Sequence, residues 1–99
     1  MDYYVLSWGL DGGLITTDLT SGEQLLLVHT DRELALRYGS AIFQRTGRGV
    51  ATITLNSSRS GLRRKLERAA GKGSLADVDL VFPDHPVYSQ LVNNLLAGS

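Results

Sequence analysis

The 99-residue sequence contains no cysteine and only two histidines. The lack of cysteine excludes a disulfide framework, a cysteine-based zinc site and a cysteine nucleophile. It is also typical of proteins from a reducing compartment. No apolar run approaches the roughly 20 residues that a membrane-spanning helix needs, and the first residues lead straight into a strand pattern, so a signal peptide is not expected. We therefore expect a cytoplasmic protein.

Recognisable catalytic motifs are missing as well. The GxxxxGK[ST] phosphate loop and the GxGxxG dinucleotide motif are absent, and no nucleophile motif stands out. Asp77, Asp79, Asp84 and His85 are close enough in sequence to hold a divalent metal, but an exposed strand edge followed by a helix cap explains them better. His29 is interpreted as structural. We predict no catalytic residue, no cofactor and no metal.

The composition is that of one small globular domain. Apolar residues make up 42% and charged residues 20% of the chain, which is ordinary for a folded protein. At this length one modest hydrophobic core is expected. We predict a single compact domain over residues 1–99.

Apolar periodicity predicts five strands and three helices. Strands are expected at 3–8, 14–18, 25–29, 50–55 and 78–82, with a hairpin turn at 11–13. The apolar run at 25–28 predicts a central strand. Helices are expected after Thr30 and Glu33, which have capping-box spacing, then from 61 to 70, and after Asp84 or His85 with Pro86 in the first turn.

Gly39 leaves two interpretations of the first helix open. The glycine can be a weak point inside a long helix, or it can end the helix and leave residues 41–45 as a strand. The long helix is favoured. The order of elements then predicts an α+β, or small α/β, fold with a mixed sheet of about five strands: an N-terminal β-meander, then β-α-β-α-β-α, with the helices mainly on one face.

Charge is distributed unevenly along a chain whose net charge is zero. Residues 44–72 carry eight bases and one acid, Glu67, whereas acids outnumber bases on both sides. A neutral total does not exclude a local positive surface. We predict a partner-binding surface formed by Arg45, Arg48, Arg59, Arg63, Arg64, Lys65, Arg68 and Lys72.

The basic segment supports two hypotheses about function. The favoured one is a non-enzymatic binding, adaptor or inhibitor-like protein that engages an acidic protein surface or nucleic acid. The segment contains no aromatic residue, which argues against base stacking. The alternative is a phosphate site at the turn 56–61, because helix N-termini attract anions. Such a site could belong to an oligomeric enzyme. The residues of the site would be Ser57, Ser58, Arg59, Ser60, Gly61 and Arg63.

The last helix suggests a second interaction surface. Its polar side, which includes Ser89, Gln90, Asn93 and Asn94, carries no charge, and its apolar side is wide. Uncharged polar residues are cheap to desolvate. Residues 84–97 are therefore the candidate contact for a homo-oligomer, although packing onto the chain's own sheet explains the pattern better.

Overall fold

The computed structural model describes residues 1–9, 12–70 and 75–97. Within these ranges the chain forms five strands and three helices, and the predicted α+β fold is confirmed. The elements are β1 (Asp2–Trp8), β2 (Thr17–Asp18), β3 (Gln24–Leu27), α1 (Arg32–Thr46), β4 (Val50–Asn56), α2 (Leu62–Ala70), β5 (Val78–Val81) and α3 (Pro86–Ala97). None of the helices in the described ranges is long and apolar enough to cross a membrane.

The strands are divided between two sheets. Strand β1 pairs with β4 in an antiparallel sheet, and β3 lies between an antiparallel β2 and a parallel β5. The central position predicted for β3 is confirmed. A bridge joins the two sheets: the Tyr4 N–H donates to the His29 carbonyl over 2.8 Å, and the His29 N–H donates to the Tyr4 carbonyl over 2.9 Å.

The N-terminal meander is only partly formed. The chain returns beside β1, where the Trp8 N–H donates to the Gly13 carbonyl and the Ile15 N–H donates to the Leu6 carbonyl. Strand β2, however, pairs with β3, and the main partner of β1 is β4. Part of the predicted turn, Asp11, lies outside the described residues. A seven-residue register between β1 and β4 offers more backbone bonds than the short return does.

Helices cover both faces of the sheets, two on one face and one on the other. Helices α1 and α3 contribute Tyr38, Ile42, Tyr88 and Val92 to one core cluster. Helix α2 contributes Leu62 and Leu66 to the second cluster, with residues of β1 and β3. The alternation of side chains along the strands sends neighbouring residues to opposite clusters. This arrangement agrees with helices lying mainly on one face.

Helix α1 runs uninterrupted through Gly39. A Cβ atom at Gly39 would lie 3.2 Å from Cγ1 of Val50, so the missing side chain lets α1 approach β4 closely. Gly47 ends the helix in the left-handed region, at φ 72°. The long helix is confirmed, and the alternative strand at 41–45 is wrong. The predicted Thr30 cap is also wrong, because the Asp31 carboxylate accepts from the Glu33 and Leu34 amides.

Helix α3 begins as expected, after a histidine cap. The His85 ring Nδ1 accepts from the Val87 N–H over 3.1 Å, and Pro86 occupies the first position of the helix. Tyr88 and Val92 are buried against α1 and the second sheet. The apolar side of α3 therefore packs within the chain, and an oligomer contact through residues 84–97 stays a prediction.

Candidate functional site

Two leucines one turn apart hold helix α2 and decide which of its bases face solvent. Leu62 and Leu66 are fully buried and belong to the same cluster as Tyr3 and Val5. Residues four positions apart lie on one side of a helix, so this anchoring turns the intervening positions outward. The exposed bases of α2 are Arg64, Lys65 and Arg68, which we call the α2 surface, whereas Arg63 is only half-exposed.

The serine-rich turn before α2 satisfies many of its own polar groups. The Gly61 N–H donates to both the carbonyl and the hydroxyl oxygen of Ser58 over 3.2 Å. The Ser57 hydroxyl donates to the Ser58 carbonyl, and the Ser57 N–H donates to the Met1 carbonyl. The hydroxyl of Ser60 lies 3.4 Å from that of Ser58. These internal bonds leave fewer donors in the turn for an anion than its composition suggests.

Arg59 points away from α2 and toward the end of β5. Its guanidinium donates two hydrogen bonds to the Asp84 carboxylate over 3.1 and 3.2 Å and lies 4.0 Å from the centre of the Phe82 ring. The hydrogen bond from Arg59 lowers the pKa of Asp84. The two parallel donors of the guanidinium match the two oxygens of a carboxylate. Arg59 is therefore already engaged by an acid of its own chain.

Arg63, on helix α2, also forms its hydrogen bonds within the chain, but with a different segment from Arg59. Its guanidinium donates to the Leu75 carbonyl over 2.9 Å and to the Val78 carbonyl over 2.6 Å. It therefore fastens α2 to the segment that leads into β5. Arg63 lines a cleft that also contains Glu23, Asp79 and His85. The two arginines of the predicted phosphate site do not converge on one point.

The α2 surface borders an open concavity of about 830 Å³, which we call the α2 concavity. The rest of its wall comes from the start of the chain, the end of β4 and the serine-rich turn, through Met1, Tyr3, Asn56, Ser57, Ser58, Arg59 and Gly61. Lys65 Nζ donates a hydrogen bond to the Asn56 carbonyl. Arg64 and Arg68 form no ion pair with the described residues, whose one ion pair is that between Arg59 and Asp84.

The remaining predicted bases lie elsewhere. Arg45 donates to the Leu95 carbonyl over 3.0 Å, which ties α1 to α3. The Arg48 guanidinium lies 4.1 Å from the centre of the Trp8 ring, a cation–π contact. Neither residue lines the α2 concavity. Lys72 lies outside the described residues. The predicted surface of eight bases is thus brought together only in part, at Arg59, Arg64, Lys65 and Arg68.

The acids that follow α2 in the sequence balance only a small part of the basic charge. Asp77 and Asp79 are exposed, and Asp84 is paired with Arg59. Within the described ranges, no group of three or more His, Asp or Glu side chains is arranged to hold a metal ion. Asp84 therefore balances part of the basic charge, as the sequence allows, and the ring of His85 is engaged as a helix cap.

His29 forms a buried polar cluster with two tyrosines that sequence patterns did not connect. Its Nδ1 lies 2.7 Å from the Tyr88 hydroxyl, and its ring centre lies 5.4 Å from that of Tyr38. Burial lowers the pKa of His29 to about 4 and raises that of Tyr88 to about 12. The histidine is therefore neutral near pH 7 and links β3, α1 and α3, in agreement with a structural role.

One participant in the α2 concavity was not expected from the sequence. Tyr3 reaches it because β1 pairs with β4 along its whole length. Tyr3 is distant in sequence from the turn at 56–61 and carries no charge. The turn signal at 56–61 indicates where the chain bends but does not indicate which strand lies next to it.

Comparison with known proteins adds information on the fold alone. No family model matches the chain, and no curated protein matches its sequence. Among solved structures, the chain is similar to Anabaena Tic22, described as a protein-transport protein, with 16% identity and a TM-score of 0.54. The match covers 94% of this chain and 39% of that one, so the chain spans less than half the length of Tic22.

Proposed function

We propose that this chain is a non-enzymatic binding module that holds an acidic protein surface on Arg64, Lys65 and Arg68. The observation that carries this proposal is the state of Arg64 and Arg68. Both are exposed, one helical turn apart, and without an ion-pair partner among the described residues. Like charges at this spacing cost an isolated helix about 0.2–0.5 kcal/mol, and carboxylates of a partner would remove that cost.

An acidic protein suits this surface better than nucleic acid does. Tyr3, the aromatic residue of the α2 concavity, is only 4% exposed, so it offers no face on which a base could stack. Glu67 is exposed on the same helix and interrupts the positive charge; discrete carboxylates of a protein can avoid it more readily than a continuous phosphate backbone can. Mixed charge and hydroxyl groups are typical of the rim of a protein interface.

A phosphate site at the turn 56–61 remains the alternative, with less support. Its serine hydroxyls are exposed or half-exposed next to Arg64 and Lys65. Arg59 and Arg63, which it would need as the charged groups, donate instead to Asp84 and to main-chain carbonyls. A phosphate would have to displace those contacts.

A cytoplasmic location and a protein-binding role belong together in this proposal. The chain has no cysteine that an oxidising compartment would pair. The likeness to Tic22 concerns the fold, and the transport role printed for that protein supplies no residue to this proposal.

The test is charge reversal with a matched control. The variant Arg64→Glu with Arg68→Glu changes the α2 surface, and Arg32→Glu with Arg37→Glu makes the same change on exposed positions of α1. Binding to polyglutamate, a short DNA duplex and inorganic phosphate is measured by calorimetry over a salt series. We expect the first variant to weaken polyglutamate binding at least about tenfold and the control to retain it.

Each other outcome assigns the surface differently. Equal losses in both variants would show a response to net charge alone and would refute a specific surface. Tighter binding of the DNA duplex, lost in the same variant, would make nucleic acid the partner. Binding of inorganic phosphate with resonance shifts at 57–61 would favour the alternative.

A further inference from the structure

Strand β4 has one edge without a neighbour in the described part of the chain. Its sheet contains only β1 and β4. The strand, VATITLN, has no charged residue and no proline. Natural proteins usually protect a free edge with charges, proline or a bulge, because its unpaired backbone groups invite another strand. An unprotected edge of seven residues is therefore a candidate binding element.

The register shows which backbone groups point outward. Tyr4, Leu6 and Trp8 direct their backbone groups away from β4, toward His29, Ile15 and the return segment at 12–13. Since the direction alternates along an antiparallel strand, the residues between them, at positions 3, 5 and 7, face β4. Their partners are at positions 55, 53 and 51.

The three residues that alternate with those partners therefore point outward. They are Val50, Thr52 and Thr54, and their backbone N–H and C=O groups have no hydrogen-bond partner within the described chain. Asn56 shares this parity, and the hydrogen bond from Lys65 to its carbonyl agrees with an outward direction. Each residue offers one N–H and one C=O to a partner.

We propose that this edge binds an extended peptide segment of a partner protein, added as a strand beside β4. The end of the peptide next to Asn56 carries acidic side chains, which meet Arg64, Lys65 and Arg68. Strand addition supplies main-chain hydrogen bonds, and the charges beside it determine which peptide is accepted. The acidic part of this inference rests on the proposed function, whereas the strand pairing stands on the register alone.

Charge argues for a different protein over a second copy of this chain. A two-fold axis through Thr52 would pair Val50 of each copy with Thr54 of the other. The same register brings Arg48 opposite Asn56 of the other copy, where Lys65 is bound. Like charges would then meet at both ends of the interface. A peptide with acids at the Asn56 end has the complementary charge instead.

The probe is a short synthetic peptide of alternating valine and threonine with a run of glutamates at one end. Two versions carry the glutamates at opposite ends, because the added strand can run in either direction. A control version carries lysines in place of the glutamates. Hydrogen exchange followed by NMR reads the amides of Thr52 and Thr54. We expect the better glutamate peptide to slow their exchange at least about tenfold, with little change at Ala51 and Ile53.

Removing backbone N–H donors, from the peptide or from β4, separates the effect of strand pairing from the effect of charge. N-methylation of the peptide at every second residue removes the donors that face β4 in one version and those that face away in the other. We expect the first version to bind at least about tenfold more weakly and the second to bind normally. Thr52→Pro removes an outward donor, a position where proline is tolerated, and Thr52→Val is its matched control.

The outcomes distinguish failure of this inference from failure of the proposed function. If the glutamate preference is retained in Arg64→Glu with Arg68→Glu while exchange at Thr52 stays slow, strand addition would be supported and the acidic contact refuted. Glutamate-dependent binding that survives N-methylation in both versions would refute strand addition and leave the α2 surface intact. A concentration-dependent dimer abolished by Thr52→Pro would assign the edge to a second copy and overturn the peptide.

Discussion

Four arginines between residues 59 and 68 form two pairs with opposite surroundings. Arg59 and Arg63 donate to acceptors of their own chain, the Asp84 carboxylate and the Leu75 and Val78 carbonyls. Arg64 and Arg68 are exposed and form no ion pair with the described residues. Residues with the same side chain, a few positions apart, thus stabilise the fold in one pair and are available to a partner in the other.

The difference shows why a count of charges overstates a binding surface. Arg45 and Arg48, from the same basic segment, are also engaged, by the Leu95 carbonyl and the Trp8 ring. An arginine that ties two elements together contributes to folding, and its charge is no longer fully available to a partner. The two remaining arginines carry the proposed function.

The largest effect is expected at His29, a base that the fold holds without its proton. Its pKa in the folded chain is about 4, below the ordinary value of 6.5, because burial disfavours the charged form. Below pH 6.5 the unfolded chain binds a proton that the folded chain does not. The free energy of unfolding is therefore unaffected above that pH and falls by about 3 kcal/mol as the pH drops from 6.5 to about 4.

Urea unfolding across this pH range tests the prediction, with His29→Gln as the comparison. Glutamine keeps a polar group near the Tyr88 hydroxyl and does not titrate. Carboxylates titrate equally in both proteins near the acidic end, so the difference between them isolates His29. We expect the variant to start less stable and to lose less stability on acidification. Parallel curves for the two proteins would contradict a neutral, buried His29.

The next effect separates Arg63 from Arg64. Arg63→Met keeps much of the aliphatic stem but removes both hydrogen bonds to the Leu75 and Val78 carbonyls. Hydrogen bonds from a charged donor are each worth about 1.5–3 kcal/mol when buried, and Arg63 is half-exposed, so we expect a loss of about 2 kcal/mol in unfolding free energy. Arg64→Met, on the exposed side, should change it by less than about 0.5 kcal/mol.

Chemical denaturation of both variants measures the contrast, and binding to polyglutamate should change in the reverse order. Arg64→Met is expected to weaken binding while Arg63→Met leaves it near the wild-type value at temperatures where the variant is folded. If Arg64→Met were as destabilising as Arg63→Met, the division of the arginines into two roles would be wrong.

Much of the fold could be predicted from local patterns. Strand β4 and helix α3 follow from β-branched content and from apolar spacing, and both appear within a residue or two of the expected bounds. The pairing of β1 with β4 could not be predicted, because it joins residues about fifty positions apart and depends on relative burial. The cap of α1 is ambiguous in the sequence for a local reason, since Thr30 and Asp31 are both good caps and only Asp31 is placed to accept.

The site was less predictable than the fold. The helical period of Leu62 and Leu66 could have shown that Arg63, next to a buried residue, is less exposed than Arg68. The acceptors of Arg63 are main-chain carbonyls near β5, which carry no sequence signal. The pairing of Asp84 with Arg59 depends on where β5 ends relative to α2, which local sequence patterns do not show.

The smallest effect concerns the Arg59–Asp84 pair, which is exposed on both sides, with side-chain exposures of 57% and 65%. Exposed pairs contribute little to stability, so the sensitive observable is the pKa of Asp84 itself. The hydrogen bond from Arg59 lowers this pKa below the ordinary value of 3.8. The pair therefore contributes to stability above pH 3.8, and the contribution is lost as the pH falls through the lower pKa of the folded chain.

NMR titration of Asp84 should therefore show its pKa rising toward 3.8 in Arg59→Met and unchanged in Arg68→Met. This window lies below that of His29, so the two effects are separable in one titration. An unchanged pKa in Arg59→Met would mean that Arg59 is free in solution, and the α2 surface would then include a third arginine.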